Sequence, residues 1–156
     1  MSGNPYEEAG RKKPARGVHI YLGKPNIVWA TLCTDKRMPW LANEFVHERL
    51  RKVWRESTKW LVSDYVIMPD HIHFFAAPHD LDYPFDKWVT YWERQFAKLH
   101  KHDDWTWQPN PFHHRLRHGE SYTEKWHYLR NNPVRKGLVS RVEDWPFQGR
   151  IHDAHW

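Results

Sequence analysis

Two histidines separated by one apolar residue are the most chemically suggestive feature of this sequence. His71-Ile72-His73 lies at the start of a run, 71–77, whose composition indicates a β-strand. Because strand side chains alternate between faces, both imidazoles point the same way, with Cα atoms about 6.5 Å apart. Imidazoles at this spacing can converge on one divalent ion. The alternative is a pair of half-exposed strand histidines that bind nothing.

A tyrosine on a predicted helix is the second candidate. Ser121 and Glu124 form an S-x-x-E capping box that starts this helix, and Pro133 must end or kink it. Helical spacing predicts a polar stripe made of Ser121, Lys125, Tyr128 and Asn132. Tyr128 can act as a nucleophile, although a phenol ionises only near about pH 10 and needs a base or a metal-activated electrophile. The alternative is a packing tyrosine with a satisfied hydroxyl.

A basic run, Phe112-His-His-Arg-Leu-Arg-His118, precedes that helix. Arg115 and Arg117 alternate with an apolar leucine, and arginine suits both phosphate groups and base edges. The alternative is a charged loop facing solvent. The histidines of the run come without a cysteine pair or a dense ligand set, so a zinc site is not favoured.

The composition is that of a single basic domain. The chain has 156 residues, with 24 Lys and Arg against 19 Asp and Glu, a net charge of +5. Positive charge favours an anionic partner such as nucleic acid. No apolar run approaches the roughly 18 residues of a membrane span, and no signal peptide is evident. Cys33 is the one cysteine, so no intrachain disulfide can form, and we expect a cytoplasmic protein without a membrane partner.

The order of the predicted elements favours one α+β domain, with helices packed on a central antiparallel sheet. The predicted strands and helices, in order, are strand 26–34, a helix capped by Asn43 and reaching about Ser57, hairpin strands 60–68 and 71–77, helix 85–100, a short strand near 112–117 and the tyrosine helix. We expect a flexible basic arm over 1–17, the domain over 18–147 and a C-terminal tail over 148–156.

Two runs together resemble a known family. V-I-M-P-D-H-I-H-F-F, residues 66–75, resembles the metal motif of the HUH single-strand nucleases. E-S-Y-T-E-K-W-H-Y-L-R-N-N-P-V-R-K-G-L-V, residues 120–139, resembles the tyrosine helix of REP-associated tyrosine transposases, and E-D-W-P-F, residues 143–147, resembles the segment that follows. The resemblance spans most of the chain and implies the ferredoxin-like, RRM-like fold of HUH nucleases.

The resemblance also implies an activity. His71, His73 and Asn132 would bind Mg²⁺ or Mn²⁺, and Tyr128 would attack a phosphodiester to give a 5′-phosphotyrosine and a free 3′-hydroxyl. The protein would then be a metal-dependent single-stranded DNA endonuclease and strand transferase, acting beside REP-like hairpins. Relatives occur as monomers and as homodimers, and the REP-associated branch favours a monomer.

Basic and aromatic side chains are the expected DNA contacts. Lys125 is expected near the scissile phosphate. The other predicted contacts are Arg115, Arg117, Arg130, Arg135 and, in the arm, Lys12 and Lys13. Trp105 and Trp107, in a loop, either stack on unpaired bases or anchor the loop in the core.

Two other functions remain open. A domesticated relative can hold hairpin DNA or structured RNA without cutting it, although such a binder need not keep His71, His73, Tyr128 and Asn132 together. An unrelated hydrolase using only the two histidines on a metal would have no role for Tyr128.

Overall fold

A five-stranded antiparallel sheet forms the centre of the protein, in the strand order β4-β1-β3-β2-β5. The computed structural model describes residues 27–116 and 122–153. The strands are β1 (Val28–Cys33), β2 (Trp60–Ile67), β3 (His71–Pro78), β4 (Phe112–Arg115) and β5 (Gln148–Arg150). The helices are α1 (Glu44–Glu56), α2 (Phe85–Ala97), α3 (Tyr122–Arg130) and the single turn α4 (Asn132–Arg135). The predicted α+β fold is confirmed.

One face of the sheet is covered by α1 and α2, which form the main core. Asn43 caps α1 as predicted, its side-chain oxygen accepting from the Val46 amide at 2.9 Å. The apolar side of α1 is buried, and the tryptophans of α2, Trp88 and Trp92, pack with it against the sheet. Five of the chain's 11 tryptophans are therefore buried in this core.

The opposite face carries the two histidines. Ile72, Phe74 and Ala76 of β3 point into the main core, while Phe75 belongs to a second cluster with α3 residues Tyr122 and Leu129. Alternation along β3 therefore puts both His71 and His73 on one face, as predicted, and α3 covers that face. Because β3 lies between β1 and β2, ladder hydrogen bonds hold the strand on both sides.

The C-terminal boundary predicted at residue 147 is wrong for residues 148–152. β5 pairs with β2, and the amides of Ile151 and His152 continue the pairing to Ser63 and Val62. A three-residue edge strand has too few positions to show a period of two in the sequence. Of the predicted arm and tail, the segments 1–17 and 154–156 lie outside the described residues.

The tyrosine helix is shorter than predicted. α3 ends at Arg130, and the chain continues through Asn131 into α4, where Pro133 is buried. Pro133 has no amide hydrogen and restricts the residue before it, which accounts for the break. Ser121, the first residue of the predicted capping box, lies outside the described residues. Within the described ranges, no helix is long and apolar enough to cross a membrane.

An ion pair between the exposed Arg150 and the buried Asp64 attaches β5 to the rest of the sheet. Asp64 is 4% exposed. Arg150 donates to both of its carboxylate oxygens, at 3.0 and 3.1 Å, and the Tyr122 hydroxyl donates to it at 2.7 Å. Arg150→Ala would leave a buried carboxylate with fewer donors.

We expect Arg150→Ala to lower the free energy of unfolding by about 1–3 kcal/mol, as measured by urea denaturation. The matched control is Arg141→Ala, which removes an exposed pair with Asp144 and should cost under about 1 kcal/mol. Equal losses in the two variants would show that the Asp64 pair has no special role in stability.

Candidate active site

The two histidines lie close together, and a hydrogen bond at Nδ1 holds each ring in place. Their ring centroids are 4.8 Å apart, and each residue is 8% exposed. Nδ1 of His73 is hydrogen-bonded to the Thr31 hydroxyl at 2.9 Å, and Nδ1 of His71 to the Asp70 carboxylate at 2.8 Å. With Nδ1 engaged in both rings, Nε2 is the nitrogen that each can offer to a ligand.

Both rings are kept in the neutral form that binds metals. Burial lowers the pKa of His73 to about 3, assisted by the charges of His71, Arg135 and Lys125. Burial also lowers the pKa of His71, although its hydrogen bond to Asp70 opposes the change. Neither imidazole therefore needs to lose a proton before it binds a cation at neutral pH.

Asp70 and Arg37 orient His71 from behind. Arg37 Nε donates to Asp70 Oδ2 at 3.0 Å, while Asp70 Oδ1 accepts the hydrogen bond from His71 Nδ1. Burial alone would raise the pKa of Asp70, but the hydrogen bonds from His71 and Arg37 outweigh it and lower the pKa. Sequence analysis missed Asp70, Arg37 and Thr31. Only the position of Asp70, directly before His71, was a usable signal.

The predicted donor set would leave coordination positions open on a bound divalent cation. Among residues 27–116 and 122–153, no group of three or more His, Cys, Asp or Glu side chains is arranged to hold a metal. Asn132, on the turn that follows α3, is the predicted third ligand. Its Oδ1 accepts from Arg135 Nη2 at 3.0 Å, which leaves a second lone pair. Two imidazoles and an amide leave room for phosphate oxygens and water, as Mg²⁺ and Mn²⁺ require.

Tyr128 is exposed and lies among cations. Its side chain is 60% exposed on α3. The Arg135 guanidinium lies 4.2 Å from the ring centre, and Lys125 Nζ lies 5.8 Å from it. Arg135 Nη1 also donates to the Tyr128 carbonyl at 2.8 Å. Because Arg135 binds Asn132 as well, one side chain connects the tyrosine to the predicted amide ligand.

Packing holds α3 beside the histidines. The rings of Tyr122 and Trp126 lie 4.2 and 6.1 Å from that of Phe75, two residues after His73. Lys125 Nζ lies 4.5 Å from the ring centre of Trp29, two residues before Thr31 on β1. The charges of Lys125 and Arg135 act on His73, and that of Lys136, which sequence analysis missed, acts on His71. Basic side chains of α3 and its continuation therefore surround the histidine pair.

Tyr122, the other tyrosine of the motif, is a packing residue. Its hydroxyl is hydrogen-bonded to Ser63 Oγ and Asp64 Oδ2, both at 2.7 Å. Burial raises the pKa of Tyr122. Of the two tyrosines in the motif, only Tyr128 presents its hydroxyl side to solvent.

The structure corrects one predicted DNA contact. Arg115, which lies on β4 opposite Val28, is only 8% exposed, so the structure does not present it at the surface. Arg135 is exposed, whereas Lys125 and Arg130 are half-buried. Arg117, Lys12 and Lys13 lie outside the described residues.

The loop tryptophans are core anchors. Trp105 stacks on Trp40 with ring centroids 5.0 Å apart, and Trp107 contacts Trp40 and Phe96. Both are half-buried against the main core. Of the two readings left open for these residues, packing is the one that the structure supports.

Paired histidines lie on the middle strand of an antiparallel sheet, on the face covered by a helix with an exposed tyrosine, which is the arrangement that the sequence resemblance implies. The chain is 30% identical over 89 residues to the REP-associated tyrosine transposase of Escherichia coli K12, a match covering 55% of this chain and 52% of that protein. It is 22% identical over 147 residues to a putative REP-associated tyrosine transposase of Haemophilus influenzae, covering 84% and 83%.

A solved structure supports the same relationship. A REP-associated tyrosine transposase bound to a REP hairpin superposes with a TM-score of 0.67 at 25% identity, covering 83% of this chain and 79% of that one. No protein-family model matches the chain. The chain is therefore similar in sequence and in fold to REP-associated tyrosine transposases, and it matches about half the length of the E. coli protein.

Proposed function

We propose that the protein is a metal-dependent endonuclease and strand transferase for single-stranded DNA beside a hairpin, acting through a 5′-phosphotyrosine on Tyr128. One observation carries the proposal: a histidine pair, each ring held at Nδ1, lies on the sheet face that α3 covers, and the two cations that act on His73, Lys125 and Arg135, also flank the exposed Tyr128. The arrangement offers both a cation site and a nucleophile.

The substrate class is inferred from charge and from the solved relative. That relative is bound to a REP hairpin. The cations around Tyr128 suit a phosphate backbone, which dominates the affinity of proteins for nucleic acids. A hairpin flanked by unpaired nucleotides would place a single-stranded phosphodiester within reach of the exposed tyrosine.

His71, His73 and Asn132 would hold Mg²⁺ or Mn²⁺. When bound, the ion would supply positive charge to the scissile phosphate. The protein side chains prepare this site: Thr31 and Asp70 fix the rings, and Arg135 orients the Asn132 amide.

Tyr128 would supply the nucleophilic oxygen. Its hydroxyl oxygen forms the bond to phosphorus as the bond from phosphorus to the 3′-oxygen breaks, so the proton lost by the phenol balances the one gained by the 3′-hydroxyl. Attack by a 3′-hydroxyl on the phosphotyrosine reverses the step and joins strands. The phosphodiester energy is kept in the covalent link, and no nucleotide cofactor is required.

Strand cleavage tests this function directly. A labelled hairpin with a single-stranded flank is incubated with the protein and Mn²⁺ and separated on a denaturing gel. Cleavage that requires both the divalent ion and the flank supports the proposal. Tight hairpin binding without cleavage, across varied flanks, would favour a non-cleaving hairpin-binding protein.

Lys125 provides a test of the DNA interface. Lys125→Gln should weaken binding of the flanked hairpin and reduce the slope of log affinity against log salt by about 1, because one phosphate contact is lost. The matched control is Lys52→Gln on α1, a helix that packs on the opposite face of the sheet. Fluorescence anisotropy over a salt series measures both slopes, and an unchanged slope for Lys125→Gln would place that residue outside the interface.

A further inference from the structure

We propose that an aromatic surface beside the histidine pair, made of Trp29, Phe112 and His114, stacks on the unpaired bases of the DNA strand. The inference rests on the proposed function and names where the single-stranded flank lies. Aromatic rings stack on any base, so this contact would hold the strand without reading its sequence.

The three rings form one group on the histidine face of the sheet. In the pairing of β1 with β4, Trp29 lies opposite His114 and Thr31 lies opposite Phe112. The ring centroids are 5.4 Å apart for Trp29 and Phe112, 5.9 Å for Trp29 and His114, and 5.5 Å for Phe112 and His114. Phe112 is 52% exposed, so this part of the surface offers an apolar ring to solvent.

The aromatic surface continues directly into the candidate active site. Thr31, which lies opposite Phe112, is also hydrogen-bonded to His73. β4 is two strands away from the histidine strand, a distance of about 10 Å at the usual strand spacing. Stacked bases rise by about 3.4 Å, so about three steps between stacked nucleotides span that distance.

The charges match a nucleic-acid strand. Lys125 Nζ lies 4.5 Å from the ring centre of Trp29, and Arg135 lies over Tyr128. Base faces on the rings and phosphates toward these cations would satisfy both parts of a nucleotide. An uncharged peptide or a lipid tail would use the rings but leave the cations without a counterion.

Phe112→Ala provides the test, since an exposed side chain can be truncated without opening the core. The probes are a hairpin carrying an unpaired flank with 2-aminopurine and the same hairpin without the flank. Tyr91→Ala is the matched control, because Tyr91 is also exposed but lies on α2, which packs on the opposite face. Thermal unfolding checks that each variant is folded.

We expect Phe112→Ala to weaken binding of the flanked hairpin by about five- to a hundredfold, as for the loss of one base–aromatic stack. Binding of the unflanked hairpin should change less than about twofold. Phe112→Ala should also quench 2-aminopurine fluorescence less than the wild-type protein does. Phe112→Tyr, which keeps the ring, should restore both values. Tyr91→Ala should match the wild type on both probes.

Three outcomes would overturn the aromatic surface, and they differ in what they say about the proposed function. If Phe112→Ala binds the flanked hairpin as Tyr91→Ala does, the rings do not contact the flank. If the wild-type protein binds both hairpins equally and leaves 2-aminopurine unquenched, no stacking site exists, while hairpin binding stands. If it binds neither hairpin, the proposed function fails and the aromatic surface fails with it.

Discussion

Tyr128→Phe is expected to abolish strand cleavage, by more than about 10³-fold, while leaving hairpin affinity within about twofold. The substitution removes the oxygen that would bond to phosphorus. It keeps the ring on which the Arg135 guanidinium lies, and the Arg135 contact to the Tyr128 carbonyl belongs to the backbone. Denaturing gels measure cleavage, and anisotropy measures binding on the same oligonucleotide.

Tyr122→Phe is the matched control for that variant. The Tyr122 hydroxyl holds Ser63 and Asp64, so its loss should lower stability while cleavage by the folded protein persists. The account would be wrong if Tyr128→Phe still cut and Tyr122→Phe did not, because the nucleophile would then be the buried tyrosine.

His73→Ala is expected to reduce cleavage by at least about 10³-fold with hairpin affinity reduced by no more than a few fold. The variant removes one of the two imidazoles that would hold the ion, whereas the cations of α3 and α4 that face the phosphates remain. Isothermal titration with Mn²⁺ in the absence of DNA provides a readout independent of activity. The wild-type protein should show saturable Mn²⁺ binding, and the variant should show none.

Thr31→Val is a milder test of the same site. The valine keeps the size of Thr31 but cannot bond His73 Nδ1, and loss of such an orienting partner costs about 10- to 100-fold in metal affinity or activity. Thr90→Val, on α2, is the matched control. Full Mn²⁺ affinity in both His73→Ala and Thr31→Val would exclude the histidine pair as the metal site.

Local patterns in the sequence were sufficient to predict the elements and the two central candidates. Asn43 marks the start of α1 because a side-chain cap is a local interaction. Alternation on β3 placed both histidines on one face because the period of a strand does not depend on distant residues. Helical spacing likewise places Tyr122 and Tyr128, six residues apart, on different faces of α3, and the first is buried while the second is exposed.

Contacts between distant segments could not be predicted in this way. Thr31 reaches His73 because β1 pairs with β3 in a register that puts the two residues opposite each other. Local sequence patterns do not determine that register. Arg115 was predicted to contact DNA because it is an arginine in a basic run, but in the folded protein it is buried. The aromatic surface likewise depends on β1 pairing with β4, across a separation of about 80 residues. The loop tryptophans that the sequence offered as possible stacking residues pack into the core instead.

Covalent trapping on Tyr128 tests the central claim most directly. The protein is incubated with a hairpin oligonucleotide carrying a single-stranded flank, with Mn²⁺ or with EDTA, and adducts are isolated under denaturing conditions and mapped by peptide mass spectrometry. We predict an adduct that forms only with Mn²⁺, carries the nucleotide on the Tyr128 peptide and leaves a free 3′-hydroxyl on the released strand. Cleavage without any adduct, or an adduct on another residue, would contradict the account.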